Sequence, residues 1–465
     1  MKRIAIIGGG ISGLSAAFAL EQRREAGQSL EYSLYESSPS FGGVLRTENI
    51  DGCVVEAGPD SFLTEKPWAA DLCRQIGMDD QLIGSNDADR KTYILVKRRL
   101  TPIPDGLMSM VPTKILPMAL SPLFSASTKL RMSREWFHAP RKADGDESVA
   151  SLVERHYGVE MVDYLADPLL AGVYGGTASQ LSVRAVLPRF AEMEKQYGSL
   201  GRAMLAARKK MPPSPNSARP LFTSLKNGMQ SLAEALVKRL PPSTLRPDTL
   251  VQELQFQDNG WLVSAGYGTD HFDSVIVATP AGIAAELLGA AAPDLASELG
   301  SISYSSSVTA ALGFDQAVRA ALPPGFGFLV PRREGKRMLA ATFVHNKFPH
   351  RAPDDRALIR CFLGGSRDQA ILELCDQAIL AIVLDEFRQI LGLAAEPLFT
   401  RVYKWKRAMA QYAVGHLDRL ERIEYLRRQL PRLALAGNGY RGIGVPDCVR
   451  SGQEAAEQML AQLLS

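Results

Sequence analysis

Residues Ile4-Ala5-Ile6-Ile7-Gly8-Gly9-Gly10-Ile11-Ser12-Gly13 decide how the chain is read. The run Ile4 to Ile7 is apolar at every position, as a strand buried on both faces of a parallel sheet requires. It stops at Gly8, Gly10 and Gly13, spaced Gly-x-Gly-x-x-Gly, and Leu14, Ala17 and Phe18 follow at helical spacing. Strand, tight turn and helix N-terminus in that order make a cradle for a pyrophosphate. Glycines let the backbone approach it, and the free N–H groups and dipole of the helix favour its charge. A second apolar run closes in Leu34-Tyr35-Glu36, about twenty residues on, where an acidic side chain reaches a ribose hydroxyl. The glycine spacing alone would fit any tight turn. Strand, helix and distal Glu36 together predict dinucleotide binding.

At 465 residues the chain has room for roughly two to three domains. A 46% apolar content suits a large core, and a formal charge of +3 gives no bulk attraction to nucleic acid. Cys53, Cys73, Cys361, Cys375 and Cys448 are scattered, which argues against a disulfide framework or thiolate metal site and fits a reducing cytoplasm. Lys2-Arg3 before an apolar run imitates a signal peptide, but the run is too short and enters the glycine turn. No stretch has the ~18 continuous apolar residues of a spanning helix.

Glu36 leads into a glycine doublet, Gly42-Gly43-Val44, and then Val54-Val55-Glu56-Ala57-Gly58-Pro59-Asp60, a short strand and turn. Residues 92–104 read as a hairpin with Lys97, Arg98 and Arg99 at its turn, either solvated or able to grip carboxylates. Between Gly106 and Phe124, Leu and Met abound, but Pro112, Pro117 and Pro122 forbid one long helix. With Lys129, Arg131, Arg134, Trp136 and Phe137 following, this stretch suits an interfacial membrane contact or a buried helical subdomain equally. Residues 147–210 read as mostly helical, broken by Asp167-Pro168 and by Gly172-Val173-Tyr174-Gly175-Gly176, where backbone could approach a flat ligand. Three strand-like runs follow at 250–256, 261–265 and 272–278, then an antiparallel sheet at 301–365 and a long helix at about 368–391. Residues 433–448 repeat the strand, glycine loop and helix pattern. A helix opening beside a cofactor stabilises negative charge there.

The glycine doublet after Glu36 and the strand-rich insertion before Val275-Ile276-Val277-Ala278 resemble the FAD domain of the flavin amine oxidase superfamily. Further motifs resemble the oxygen-dependent porphyrinogen oxidases of haem synthesis (protoporphyrinogen and coproporphyrinogen III oxidases) over nearly the whole chain. They are Gly437-Asn438-Gly439-Tyr440 with Gly442-Ile443-Gly444-Val445-Pro446-Asp447-Cys448, Gly172 to Gly176 with Leu181-Ser182, Gly325 to Pro331, Phe348 to Pro353, and Gly415-His416. The resemblance implies a mixed α/β fold with a Rossmann-type FAD-binding domain assembled from separated segments, at 1–68, 222–298 and 398–465. It implies an antiparallel-sheet substrate domain at 69–91 and 299–397, a helical membrane-associated domain at 92–210, and a linker at 211–221. The implied reaction is FAD-dependent six-electron oxidation of a porphyrinogen by molecular oxygen, with release of hydrogen peroxide. Cofactor and substrate carry most of that chemistry. This agrees with the absence of a Ser-His-Asp pattern and with six histidines (His138, His156, His271, His345, His350, His416) that show no metal-ligand spacing. No metal is expected.

Matched to that family, the FAD contacts are Gly8, Gly9, Gly10, Ile11, Ser12, Gly13, Glu36, Ser37, Gly43, Val44, Ala57, Gly58, Pro59, Asp60, Val251, Trp405, Ile443, Gly444 and Val445. Ala410 stands where the family usually has proline before Gln411, which loosens the match around Trp405. For substrate, Phe348 matches an aromatic packing on a pyrrole, Leu329 an aliphatic against the macrocycle, and Gly172 a carbonyl near the ring nitrogens. The family's carboxylate-gripping arginine is Thr92 here, which leaves Arg90, Lys91 or the trio with Arg98 for that role. The family also admits a peripheral contact on the inner face of the cytoplasmic membrane, a homodimer, and hand-over of porphyrin to a ferrochelatase. Two other readings stand beside this one: a flavin amine oxidase or carotenoid-type desaturase on the same fold, and a non-catalytic flavoprotein that holds porphyrin.

Overall fold

The computed structural model describes residues 1–108, 110–141, 145–210, 219–266 and 268–464. The chain divides into two compact units, Met1–Ser85 with Pro220–Ser303 and Asp418–Ser465, and Asn86–Arg219 with Tyr304–Leu417.

The first unit is built on a five-stranded parallel sheet, in the order Leu245–Arg246, Leu30–Tyr35, Lys2–Ile7, Ser274–Val277 and Leu433–Leu435. The opening strand is central, with Ile7 opposite both Tyr35 and Val277. Ile4, Ala5 and Ile6 are fully buried, which is why that strand shows no polar alternation. The first helix, Ile11–Glu25, packs beside the C-terminal helix Val445–Leu464, and a Cβ on Gly452 would stand 2.1 Å from the Ser12 carbonyl oxygen. Only glycine permits that approach.

The inserted meander differs from the sequence reading. Its strands are Val251–Gln257, Gly260–Ala265 and Gly268–Phe272, and the parallel strand Ser274–Val277 is separate. The expected run at 272–278 therefore spans two strands in two sheets. Residues Gly268 to His271 are all exposed and carry no apolar alternation to mark a strand.

The second unit carries a seven-stranded sheet in the order Phe399–Ala410, Tyr304–Asp315, Arg356–Gly364, Met338–Phe343, Gly327–Leu329, Thr92–Val96 and Arg99–Pro102. The helix Asp376–Leu391 buries Ile379, Val383 and Phe387 in the core of that sheet. Residues Gln369–Glu373 form a separate 3-10 turn, so the helix expected from about 368 starts later. A second core gathers the helices between Ala126 and Lys210, around Leu152, Tyr157, Met161, Leu165 and Phe190. In the Leu/Met stretch, Leu107–Met108 pairs with Val111–Pro112 as a short hairpin, and one helix, Ile115–Leu120, follows.

The expected boundaries shift, and residues 299–303 belong to the first unit. Residues 398–417 belong to the second unit, because Phe399–Ala410 is hydrogen-bonded along Tyr304–Asp315. Residues 69–85 belong to the first, where Leu82–Gly84 pairs with Phe222–Leu225. The helical 92–210 segment shares one unit with the large sheet. Of the expected linker, 211–218 lie outside the described residues.

Candidate functional site

In the first unit, the predicted nucleotide residues converge at the carboxyl end of the opening strand, where doubly wound sheets bind ligands. Gly8 has φ +105°, and a Cβ there would lie 2.8 Å from the Ala278 carbonyl oxygen. At Gly13 a Cβ would stand 1.9 Å from the Gly8 carbonyl oxygen. Gly10 is different: a Cβ there meets nothing within 4 Å. Two glycines close the turn tightly and the third faces open space above the helix start. Gly10 also occupies the N-cap position, where it offers no side chain to the first-turn N–H groups. That is the cradle an anionic diphosphate fits.

Glu36 is fixed by the backbone around it. One carboxylate oxygen accepts the Gly9 N–H at 2.7 Å, and the other accepts the Ser38 N–H at 2.8 Å. The doublet docks on the same turn, with the Gly42 N–H donating to the Gly9 carbonyl at 2.9 Å and Gly43 lying over Gly10. Gly58 passes so close to Val44 that a Cβ would stand 2.0 Å from its carbonyl oxygen. The Thr249 N–H donates to the Glu36 carbonyl at 2.8 Å, which brings the start of the meander and Val251 beside the nucleotide acid.

The C-terminal glycine loop joins this set through the helix it opens, whose Gly452 packs on the Ser12 carbonyl. Burial pushes the Cys448 thiol up to about 12, which disfavours the thiolate. Ile443, Gly444 and Val445 precede it at the opening of the C-terminal helix. Sequence reading missed what pins this loop. Asp447 is 4% exposed, accepts the Lys66 ammonium at 2.6 Å and the Gly444 N–H at 3.3 Å, and fills the space a Cβ on Gly442 would take. Arg450, one turn on, lies over the Trp68 ring at 4.5 Å. Asp447 at a helix start was a legible signal; Lys66 had none.

In the second unit, Gly172 and Leu329 do come together. A Cβ on Gly172 would meet only Leu329 Cδ2, at 4.0 Å. Phe348 is fully buried, with the Lys347 ammonium 5.2 Å and the Arg351 guanidinium 5.5 Å from its ring centre. Arg98 stands exposed at the hairpin turn with φ +64°, and its N–H and that of Lys97 are held by the Glu334 carboxylate at 3.1 and 2.9 Å. That acidic neighbour opposes a carboxylate-gripping role and favours the solvated-turn reading. Trp405 is half-buried opposite Ser307 in the large sheet.

Residues 11–460 match the family model described as flavin containing amine oxidoreductase. The chain is 34% identical to coproporphyrinogen III oxidase of Bacillus subtilis, across 100% of this chain and 99% of that protein. It is 30% identical to coproporphyrinogen III oxidase of Staphylococcus aureus, across 99% and 100%. A solved structure from Exiguobacterium sp. 255-15, provisionally named a protoporphyrinogen oxidase, superposes with a TM-score of 0.89 at 30% identity, covering 100% of this chain and 99% of that one. The chain therefore belongs to the flavin-containing amine oxidoreductases, in the branch that holds the coproporphyrinogen III and protoporphyrinogen oxidases. It is an FAD-dependent oxidoreductase, and the glycine cradle fits that cofactor.

Proposed function

We propose that this protein oxidises coproporphyrinogen III to coproporphyrin III in haem biosynthesis, with molecular oxygen as terminal acceptor. The reaction removes six electrons and six hydrogens from the porphyrinogen, so three dioxygen molecules leave as three hydrogen peroxides. The full-length identity to two coproporphyrinogen III oxidases carries the reading. When bound, FAD supplies acceptance of hydride from the substrate and return of the electrons to oxygen.

The chain's own residues bind and orient. The Gly8–Gly13 turn and the helix behind it hold the diphosphate, and Glu36 fixes the ribose. Lys66 and Asp447 keep the Ile443–Val445 loop in place. Gly172 and Leu329 offer backbone and an aliphatic surface to a flat tetrapyrrole. Anaerobic mixing of FAD-loaded protein with coproporphyrinogen III tests the reading: the flavin absorbance should bleach within the mixing experiment. A flavin that stays oxidised would contradict it.

We also infer a peripheral membrane contact. Leu116 (68%), Leu120 (75%) and Phe137 (88%) are large apolar side chains left exposed on a segment that carries Lys129 and Arg134, a pattern that suits an anionic lipid surface. No helix among the described residues is long and apolar enough to cross a membrane. Vesicles rich in anionic phospholipid should sediment the protein, and L120E with F137E should release it. Equal sedimentation of both forms would remove this contact.

A further inference from the structure

The helix Asp167–Tyr174 presents the Gly172 backbone, so whatever sets its rotation sets the face offered to substrate. It follows a π-helical turn, Val162–Ala166, whose wider hydrogen bonding interrupts the ordinary helical register. Asp167 lies five residues before Gly172, about 140° around an ideal helix from it. Gly172 is exposed and Val173 is 57% exposed, whereas the Asp167 side chain is 16% exposed. Asp167 is therefore on the inner side.

There its carboxylate meets the Arg367 guanidinium, whose side chain is 10% exposed. The other oxygen of Asp167 accepts the Ala178 N–H at 2.9 Å. The residue before Arg367 holds the other end of the helix: the Ser366 N–H donates to the Gly175 carbonyl at 2.7 Å. Gly365 has φ +68°, and a Cβ there would stand 2.7 Å from that same oxygen. One short segment, Gly365 to Arg367, thus touches both ends of the helix. Arg333 also pairs with Asp163 at 3.4 Å, but both side chains are more than 40% exposed, and such pairs contribute little. The buried pair is the one that can fix the helix.

We propose that Arg367 is a positioning residue for the porphyrinogen site: through Asp167 it sets the rotation of the helix that carries Gly172. The inference rests on Gly172 facing the substrate. Arg367 meets the helix on its Asp167 side, about 140° around from Gly172. A lysine ammonium, a point charge on a flexible stem, would hold that carboxylate less rigidly than the guanidinium does.

R367M, R367K and the reversed pair R367D with D167R separate positioning from bulk stability. In R367M, KM for coproporphyrinogen III should rise by about ten- to a hundredfold, as misplaced binding groups cause, while FAD content holds. Amide hydrogen exchange from Leu169 to Gly176 should accelerate in R367M while exchange in the first unit stays as in the parent. R367K should fall between, and the reversed pair should recover part of the loss. A KM within about twofold of the parent in both single variants, below the effect expected of a displaced site, would overturn the proposal. So would unchanged exchange at Leu169–Gly176. If the parent enzyme oxidises no porphyrinogen yet R367M still shows the local exchange change, the clamp stands and the substrate reading fails.

Discussion

Gly13→Ala should leave a chain that no longer retains FAD. The added Cβ would stand 1.9 Å from the Gly8 carbonyl oxygen, so the turn must open and carry the helix N-terminus away from the diphosphate. Overpacking of this kind costs about 1–3 kcal/mol. If all of it falls on binding, that is roughly a five- to hundredfold loss of FAD affinity. Gly10→Ala provides the contrast. Its Cβ meets nothing within 4 Å and its backbone is extended, with φ −70°, so the apo-protein should be as stable as the parent. The methyl would occupy the space assigned to the diphosphate, and FAD affinity alone should fall. Fluorescence titration of FAD into apo-protein, beside denaturation of the apo forms, reads both effects. Full affinity in Gly10→Ala would move the diphosphate elsewhere.

His156→Leu should be the most destabilising single change in the second unit. His156 is fully buried, with Nδ1 3.2 Å from a Glu135 oxygen and Nε2 3.1 Å from a Glu194 oxygen. Ser199 Oγ donates to Glu135 at 2.9 Å, Arg155 forks onto Glu147 and Glu194, and the His138 ring lies 5.2 Å away. Burial works against the imidazolium, but hydrogen bonds to Glu135 and Glu194 hold the His156 pKa above its ordinary value. Burial likewise opposes both carboxylates, and the bonds to His156 hold them below theirs. Burial and the charge on His156 lower His138, and Tyr157, buried near Glu135, is pushed well up.

The pH dependence follows from those directions. Stability from His156 is complete below the ordinary histidine value and is lost as pH rises through its raised value. Stability from Glu135 and Glu194 is complete above the ordinary glutamate value and is lost as pH falls through their lowered values. The cluster therefore supports the fold best between the carboxylate and imidazole ranges. Removing the shared cation leaves buried carboxylates without it, at a cost of about 3–5 kcal/mol. Denaturation midpoints measured from about pH 5 to about pH 9 should show the parent falling on the alkaline side and His156→Leu low and flat there. Parallel curves would show that the imidazole carries no charge in the fold.

The nucleotide site was legible because its signals are local. Gly8 to Gly13 and Glu36 lie within one strand, turn, helix and strand, and each residue type is demanded by the backbone geometry around it. Gly172 and Leu329 were legible only through resemblance, since nothing near either residue marks the other. The Lys66–Asp447 and Arg367–Asp167 pairs lie 381 and 200 residues apart in sequence, and only the packing of helices and loops in the folded chain brings each together. The strand Gly268–Phe272 escaped for another reason. Its first four residues are polar or glycine and exposed, so burial left no pattern in the sequence.

Steady-state oxidation of coproporphyrinogen III and protoporphyrinogen IX by purified, FAD-loaded protein, with peroxide counted, decides the substrate. Three peroxides should form per porphyrin. The kcat/KM for coproporphyrinogen III should be higher by about tenfold or more, the worth of one charge-assisted hydrogen bond to an added propionate. Preference for protoporphyrinogen IX would contradict the assigned substrate, and oxidation of neither above the spontaneous rate would contradict the function itself.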